Sequence, residues 1–197
     1  MSEDKKGPVA YSAILPLQDS VKADGATFTL TTEKFAVVQF DPPINKGILR
    51  IEIQNVEYVN QIGISPENLL FGETIKTPIA RGLGRTVSYF FTGEIQQNGM
   101  VKNQEYSNAG DRITLELNMD TEPKSLTFFI NNVEQKFFVV KIPDSVRLWV
   151  HFNGIGSFKI LNFERVAAPL AKHEGSVALI WGDDWEEALK KKRCLIQ

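Results

Sequence analysis

The sequence predicts an all-β sandwich that is followed by a short C-terminal strand and helix. Many short apolar runs alternate with polar residues and are separated by turn residues at near-regular spacing. Helical periodicity is absent from these runs and first appears near residue 183. A chain of 197 residues with 43% hydrophobic content is long enough for one domain with a proper core and too short for two full ones.

The first forty residues are the least regular part of the predicted sandwich. Residues 1–8 are charged rather than apolar, and we expect a disordered lead that is neither a secretory signal nor a myristoylation site. The runs 26–30 and 35–40 are rich in β-forming residues and predict edge or outer strands. Pro42 and Pro43 end the second run, and residues 48–53 begin a strand with a cleaner alternation.

The segment 66–86 differs from its neighbours because it lacks sustained alternation. It contains two prolines and three glycines and ends in Arg81-Gly-Leu-Gly-Arg85. Long loops of this kind are uncommon in compact domains and are more often functional than short ones, although a mobile surface excursion is the simpler interpretation.

Residues 110–135 contain the clearest strand pattern, a predicted hairpin. One face is apolar (Ile113, Leu115, Leu117, Met119) and the other is polar (Arg112, Thr114, Glu116, Asn118), so we expect a half-buried strand with one solvated face. Residues 120–124 supply a turn, and Leu126, Phe128 and Ile130 resume the alternation. Asn131 and Asn132 close the hairpin, because Asn tolerates the left-handed conformation.

The same residues carry a family resemblance. Gly110-Asp111, Leu117-Asn-Met-Asp120 and Ser125-Leu-Thr-Phe-Phe129 with Asn131-Asn132 resemble the central signature of the SPRY domain. The segments 47–52, 62–65, 88–93, 98–99, 142–143 and 148–152 are similar to the strands and turns that flank this signature in that family. The resemblance covers roughly 130 residues, from about 35 to about 165, and it implies a bent antiparallel β-sandwich spanning residues 9–166.

The resemblance also implies a function, which is to bind short peptides or protein surfaces through loops, without catalysis. In that family the loop at the position of residues 153–156 shares a rim with the long loop before the aromatic strand. Arg81, Leu83 and Arg85 would then face Asn153, Gly154 and Ile155 across one shallow site. The alternative is that Asn153-Gly154 is simply a hairpin turn.

Residues 167–197 form the predicted tail, with a linker, an apolar strap (176–182) and a short helix. Asp183 is the expected N-cap and Glu186 its capping-box partner, with Trp185 and Leu189 on one apolar stripe. Acidic residues occupy the first turn and basic residues the last, as the helix dipole favours. The helix is short enough to be marginal in isolation.

Cys194-Leu-Ile-Gln197 is a C-a-a-X tetrapeptide, whose last residue favours a farnesyl group. The sequence therefore predicts that a prenyltransferase modifies Cys194. One prenyl chain anchors only marginally, and Lys190, Lys191, Lys192 and Arg193 supply the second signal on an anionic membrane surface. Alternatively, these basic residues only complement the helix dipole and Cys194 is incidental. Prenylation presumes a eukaryotic source and the cytoplasmic face of a membrane.

Several function classes have little support in the sequence. A net charge of −2 and a pI near 5.8 give no electrostatic footprint for nucleic acid. One cysteine excludes an internal disulfide framework, two histidines leave little for a metal site, and we expect no cofactor. No apolar run is long enough to span a bilayer. His151 and His173 have no nucleophile beside them in a recognisable motif, so we expect no enzyme.

The sequence therefore predicts a membrane-tethered adaptor or scaffold that captures a protein or peptide. One alternative is a soluble assembly protein whose tail docks on a partner, with Trp181 and Trp185 as interface anchors. Another is a carbohydrate-binding sandwich, which would need exposed aromatic side chains on a concave face.

Overall fold

The computed structural model describes residues 6–16, 20–71 and 85–194, with the backbone alone for 192–194. One helix and seventeen strands lie within these ranges. They are β1 (Gly7–Pro8), β2 (Ser12–Ile14), β3 (Val21–Asp24), β4 (Thr27–Leu30), β5 (Phe35–Asp41), β6 (Ile48–Glu57), β7 (Gln61–Pro66), β8 (Val87–Phe90), β9 (Glu94–Gln96), β10 (Met100–Lys102), β11 (Arg112–Asn118), β12 (Ser125–Ile130), β13 (Val133–Glu134), β14 (Phe137–Val140), β15 (Val146–Asn153), β16 (Gly156–Val166), β17 (Val177–Ile180) and α1 (Trp185–Cys194).

The strands form two sheets that pack face to face. The ten-stranded sheet has the order β17-β14-β12-β11-β6-β16-β4-β3, with β1 paired to β16 and β13 to β12. The seven-stranded sheet has the order β10-β9-β8-β7-β15-β5-β2. β1 places residues 7 and 8, the end of the predicted disordered lead, in a strand against β16. The predicted all-β sandwich is confirmed.

The predicted hairpin is confirmed in its pairing. β11 pairs antiparallel with β12, with Leu115 opposite Phe128, and β11 also pairs with β6. The apolar face of β11 is buried in the core between the sheets. Asn131 and Asn132 have φ values of 50° and 69°, the left-handed conformation that a two-residue turn requires, and the turn they form joins β12 to β13.

The outer face of β11 is not solvated, which corrects the expectation from its polar alternation. Thr114 and Glu116 are only 8% and 2% exposed. Residues 167–176, which we call the crossing segment, run over this face from β16 to β17, across about five inter-strand spacings or roughly 24 Å. The strand that looked half-exposed from its sequence is therefore covered on both faces.

Two carboxylates hold the crossing segment through four consecutive backbone N–H groups. Glu116 accepts hydrogen bonds from residues 170 and 171, at 2.7 and 3.0 Å. Glu134 accepts hydrogen bonds from residues 172 and 173, both at 2.8 Å. The His173 ring stacks on Phe138 at a centroid distance of 3.8 Å, and its Nε2 lies 2.9 Å from Thr127 Oγ1.

The tail continues from this segment into the sandwich itself. β17 joins the ten-stranded sheet in parallel with β14, and Trp185 is fully buried against the core. Trp185 is therefore an anchor within this chain rather than an exposed anchor for a neighbouring protein. Trp181 is partly buried against the same core.

The helix begins one residue later than its predicted cap implied. Asp184 Oδ1 accepts the Glu187 N–H at 3.0 Å, so Asp184 rather than Asp183 is the N-cap. Glu186 does not close a capping box, since its carboxylate accepts the Met100 N–H at 3.3 Å. The first turn of α1 is thereby fixed to the turn between β9 and β10.

No helix among residues 6–16, 20–71 and 85–194 combines the length and the apolar character that crossing a membrane requires.

Candidate functional site

The structure places Arg85 and Asn153, two of the predicted site residues, at separate ends of the sandwich. Arg85 comes just before β8, at the end of the sheet where Pro66 pairs with Val146. Asn153 is the last residue of β15, at its other end. At about 3.3 Å per residue, the eight-residue strand separates the two ends by more than 20 Å. Arg85 therefore does not face the 153–155 loop across one site.

The remaining predicted positions have mixed outcomes. Arg81 and Leu83 lie outside the described residues. Asn153 and Ile155 are exposed, whereas Gly154 is buried with a φ of 107°. Whether these loop residues bind a ligand stays a prediction.

At the Asn153 end, four side chains form a surface that we call the aromatic rim: Phe35, Tyr58, Phe91 and Ile155. Phe35, Tyr58 and Ile155 are 48%, 40% and 45% exposed, so this end of the domain presents apolar surface to solvent. The Phe91 ring packs edge-on against Tyr58 at a centroid distance of 5.2 Å. The rim therefore presents rings from three different chain segments next to the 153–156 loop.

The loop 153–156 is fixed against its neighbours by backbone contacts. Asn153 pairs with Phe35, and the Gly154 N–H donates to the Lys34 carbonyl at 3.1 Å. Gly156 lies so close to residues 57 and 58 that a Cβ there would be 2.4 Å from the Tyr58 carbonyl oxygen. The absence of a side chain at residue 156 lets the 153–156 loop approach the backbone of Tyr58 this closely.

Tyr58 occupies a strained position that is held by a buried amide. Its φ is 40°, in the left-handed region that few residues other than glycine adopt. Asn55, which is 1% exposed, accepts the Val59 N–H at 3.1 Å and donates to the carbonyls of Tyr106 and Asn108. Strain of this kind is found most often at binding and catalytic sites.

Phe91 is held between the β6–β7 connection and the segment that joins β10 to β11. Its N–H donates to the Asn60 carbonyl at 3.0 Å, and its carbonyl accepts the Tyr106 N–H at 2.9 Å. Burial raises the pKa of Tyr106 well above its ordinary value, so its phenol stays protonated and donates to the Tyr89 carbonyl at 2.8 Å. Rigid backbone therefore supports the exposed rings.

A buried polar cluster forms the floor beneath the rim. Asn60 Oδ1 accepts the Gln61 amide at 3.0 Å and lies 3.1 Å from His151 Nδ1. Asn60 Nδ2 donates to the Tyr58 hydroxyl at 3.4 Å, and the Phe35 ring stacks over His151 at 6.2 Å. Gln61 is 4% exposed, and its carboxamide oxygen has no hydrogen-bond partner among the residues that the structure describes.

One histidine lies beneath the rim. His151 Nδ1 is engaged by Asn60, and the residue has a further interaction of its own. Within the part of the chain that the structure describes, no group of three His, Cys, Asp or Glu residues could hold a metal ion.

The tail residues lie apart from the rim. Lys190 and Lys191 are exposed, and Lys191 pairs with Glu187 at 2.7 Å, a hydrogen bond that raises the lysine pKa. α1 ends at Cys194, and the side chains of Lys192, Arg193 and Cys194 lie outside the described part of the chain.

Sequence reasoning missed three of the four rim residues. Phe35, Tyr58 and Phe91 each stand at the start or just past the end of a strand pattern, beside polar turn residues. An aromatic side chain at such a boundary was a usable signal, because the interior of a strand would have buried it.

The fold was compared with known proteins. No protein-family model matches the sequence, and no curated protein matches it. The SPRY domain of human HERC1 is similar in structure, with a TM-score of 0.57 and 14% identity over 80% of this chain and 98% of that domain. The carbohydrate recognition domain of Emp46p, in its metal-free form, has a TM-score of 0.48 and 13% identity over 78% of this chain and 86% of that domain. The first similarity shows that this chain has the SPRY-like, concanavalin-like sandwich fold.

Proposed function

We propose, taking the SPRY-like sandwich as the starting point, that this chain is a non-catalytic protein- or peptide-binding module. It captures its partner at the aromatic rim and acts as an adaptor or scaffold. A farnesyl group on Cys194 and the basic residues 190–193 hold it at the cytoplasmic face of a membrane.

The observation that carries the binding proposal is the exposure of the rim side chains. Protein interfaces are enriched in aromatic residues, and a few such anchors supply most of the binding energy. Phe35, Tyr58 and Ile155 each expose two-fifths or more of their surface on strand ends that rigid pairing holds in place. A preformed surface of this kind loses little conformational entropy when a partner binds.

Replacement of Phe35 or Tyr58 by alanine is expected to weaken partner binding by about 2 kcal/mol, or roughly thirtyfold. Peptides selected from a display library against the wild-type protein would serve as ligands, and their Kd values would be measured by isothermal titration calorimetry. Leu70→Ala is the matched control, since Leu70 is 50% exposed beyond the opposite end of β7. Selected peptides that bind Phe35→Ala and Tyr58→Ala as tightly as wild type would contradict the proposal.

The tether proposal is supported by the form of the tail. α1 ends at Cys194, and its last turns carry Lys190 and Lys191 on the solvent side. Each basic residue near an anionic leaflet contributes about 1 kcal/mol, which adds to the marginal affinity of one prenyl chain. Farnesylation requires Gln197 to be the last residue of the chain. The intact mass of the Cys194→Ser protein tests this requirement, because it reports the length of the unmodified chain.

Protein purified from eukaryotic cells is expected to carry the mass of a farnesyl group, and Cys194→Ser is expected to lack it. The wild type should partition into the membrane fraction and the variant into the soluble fraction. Changing Lys190 and Lys191 together to Gln should keep the lipid and reduce membrane binding by about 2 kcal/mol, or roughly thirtyfold. An unmodified wild-type mass with wholly soluble protein would refute the tether and leave the rim proposal standing.

A further inference from the structure

Two exposed carboxylates flank the aromatic rim. Glu33 lies beside the 153–156 loop, where its Oε2 is 3.0 Å from the position that a Cβ on Gly154 would take. Glu57 immediately precedes Tyr58 and is also exposed. Lys34, the neighbouring lysine, already has an interaction partner of its own. The rim therefore combines aromatic rings with negative charge.

The floor beneath the rim lacks a hydrogen-bond donor. Gln61 Oε1 is buried and has no partner within the described ranges, although its Nε2 is bonded to Asn60. A buried carbonyl without a partner costs about 1–3 kcal/mol, and native proteins leave few of them. Asn60 also bonds the Tyr58 hydroxyl, so the unpaired oxygen belongs to the cluster directly beneath the rim. A partner group that reaches it must bring an N–H or O–H on a long, slender stem.

A guanidinium group suits the aromatic rings, the two carboxylates and the unpaired oxygen together. It stacks on aromatic rings, it pairs with carboxylates, and it presents five N–H donors on a flexible apolar stem. An ammonium group is more strongly hydrated and cannot stack on a ring while its edge donates hydrogen bonds. An anionic or purely apolar side chain would leave Gln61 Oε1 unpaired or would be repelled by Glu33 and Glu57.

We infer that the aromatic rim binds a guanidinium group, and that its partner is a protein segment that inserts an arginine side chain between the rings. This inference rests on the proposed binding function of the rim and specifies the chemistry of the partner.

The test is a ¹⁵N NMR titration of the full chain with N-acetyl-arginine-N-methylamide. Saturable chemical-shift changes are expected at the Gln61 side-chain amide and at the backbone amides of Tyr58 and Phe91. The citrulline and lysine analogues, the first neutral and nearly isosteric, are expected to bind at least about tenfold more weakly. Shifts that are absent, or equal for arginine and citrulline, would overturn the inference.

Variants of the same protein test each contact. Glu33→Gln and Glu57→Gln should each weaken binding of the arginine probe by about twofold to fivefold. Glu122→Gln is the matched control, since Glu122 is exposed in the turn after β11 and should leave the affinity unchanged. Gln61→Leu should weaken binding, and Gln61→Glu should strengthen it. The opposite sign of these two effects separates a lost contact from a damaged fold.

The library selection distinguishes this inference from the function on which it rests. Peptides that lack arginine but lose affinity for Phe35→Ala would refute the guanidinium inference and leave the binding function in place. A failure to select any rim-dependent peptide would refute the proposed function itself.

Discussion

Replacing Trp185 with alanine is expected to lower the free energy of unfolding by about 3–5 kcal/mol, the usual loss for a fully buried tryptophan. Its indole is 0% exposed, and its Nε1–H donates to the Ile180 carbonyl at 2.8 Å. Gly99 packs against the backbone of the same residue, since a Cβ on Gly99 would be 2.8 Å from the Trp185 backbone nitrogen. Loss of the indole removes the main apolar contact between α1 and the sandwich. Urea unfolding, followed by fluorescence, would measure the change.

Trp181→Ala provides the matched comparison. Trp181 is only partly buried against the core, so its loss should cost less than half as much. In Trp185→Ala, amide exchange should rise in α1 and β17 while the centre of the sandwich stays protected. A loss of stability below about 1 kcal/mol would show that the tail contributes little to the folded state.

Replacing Glu116 with alanine is expected to cost about 3 kcal/mol, because one buried carboxylate serves three donors. It pairs with Arg50 at 2.8 Å and accepts the backbone N–H groups of Leu170 and Ala171. Its removal leaves the guanidinium without its carboxylate and two N–H groups without acceptors. We expect the crossing segment to detach from the sheet, which hydrogen exchange of residues 170–173 would detect.

Glu116→Gln separates the shape of this side chain from its charge. The amide keeps one acceptor oxygen, so roughly half of the destabilisation should remain. Glu134→Ala removes the carboxylate that accepts the N–H groups of residues 172 and 173. The contacts that the structure gives Glu134 include no cation, so this change should cost less than Glu116→Ala. Unchanged exchange at residues 170–173 in Glu116→Ala would contradict a role for this carboxylate in holding the segment.

The fold was predictable because its signal is local. Alternation in residues 112–130, turn residues between short runs and Asn131-Asn132 are read from neighbouring positions, and the structure has them as strands and turns. The burial of Glu116 was not predictable in this way. It depends on a segment that begins some fifty residues later in the chain, and a polar residue in an alternating strand normally faces water.

The candidate site was predictable only in part, for the same reason. The 153–155 loop was recognised through a family resemblance, but the rings beside it come from three other strand ends. Strand direction decides which strand ends meet, and the antiparallel pairing of β7 with β15 and with β8 places Arg85 at the far end of β15. Sequence alone gives the strands without their pairing, so it grouped Arg85 with a loop at the opposite end of the sheet.

The order in which the chain assembles is constrained by the course of residues 167–176. These residues rest on β6, β11, β12 and β14, so they find their contacts only after those strands have paired. They are also synthesised after those four strands, since synthesis runs toward the C-terminus. Until β17 arrives, β14 is an open edge strand with the sequence Phe137-Phe-Val-Val140. An unpaired apolar edge of this kind is a site of aggregation between chains, so the pairing of β17 also protects the sheet from mispairing.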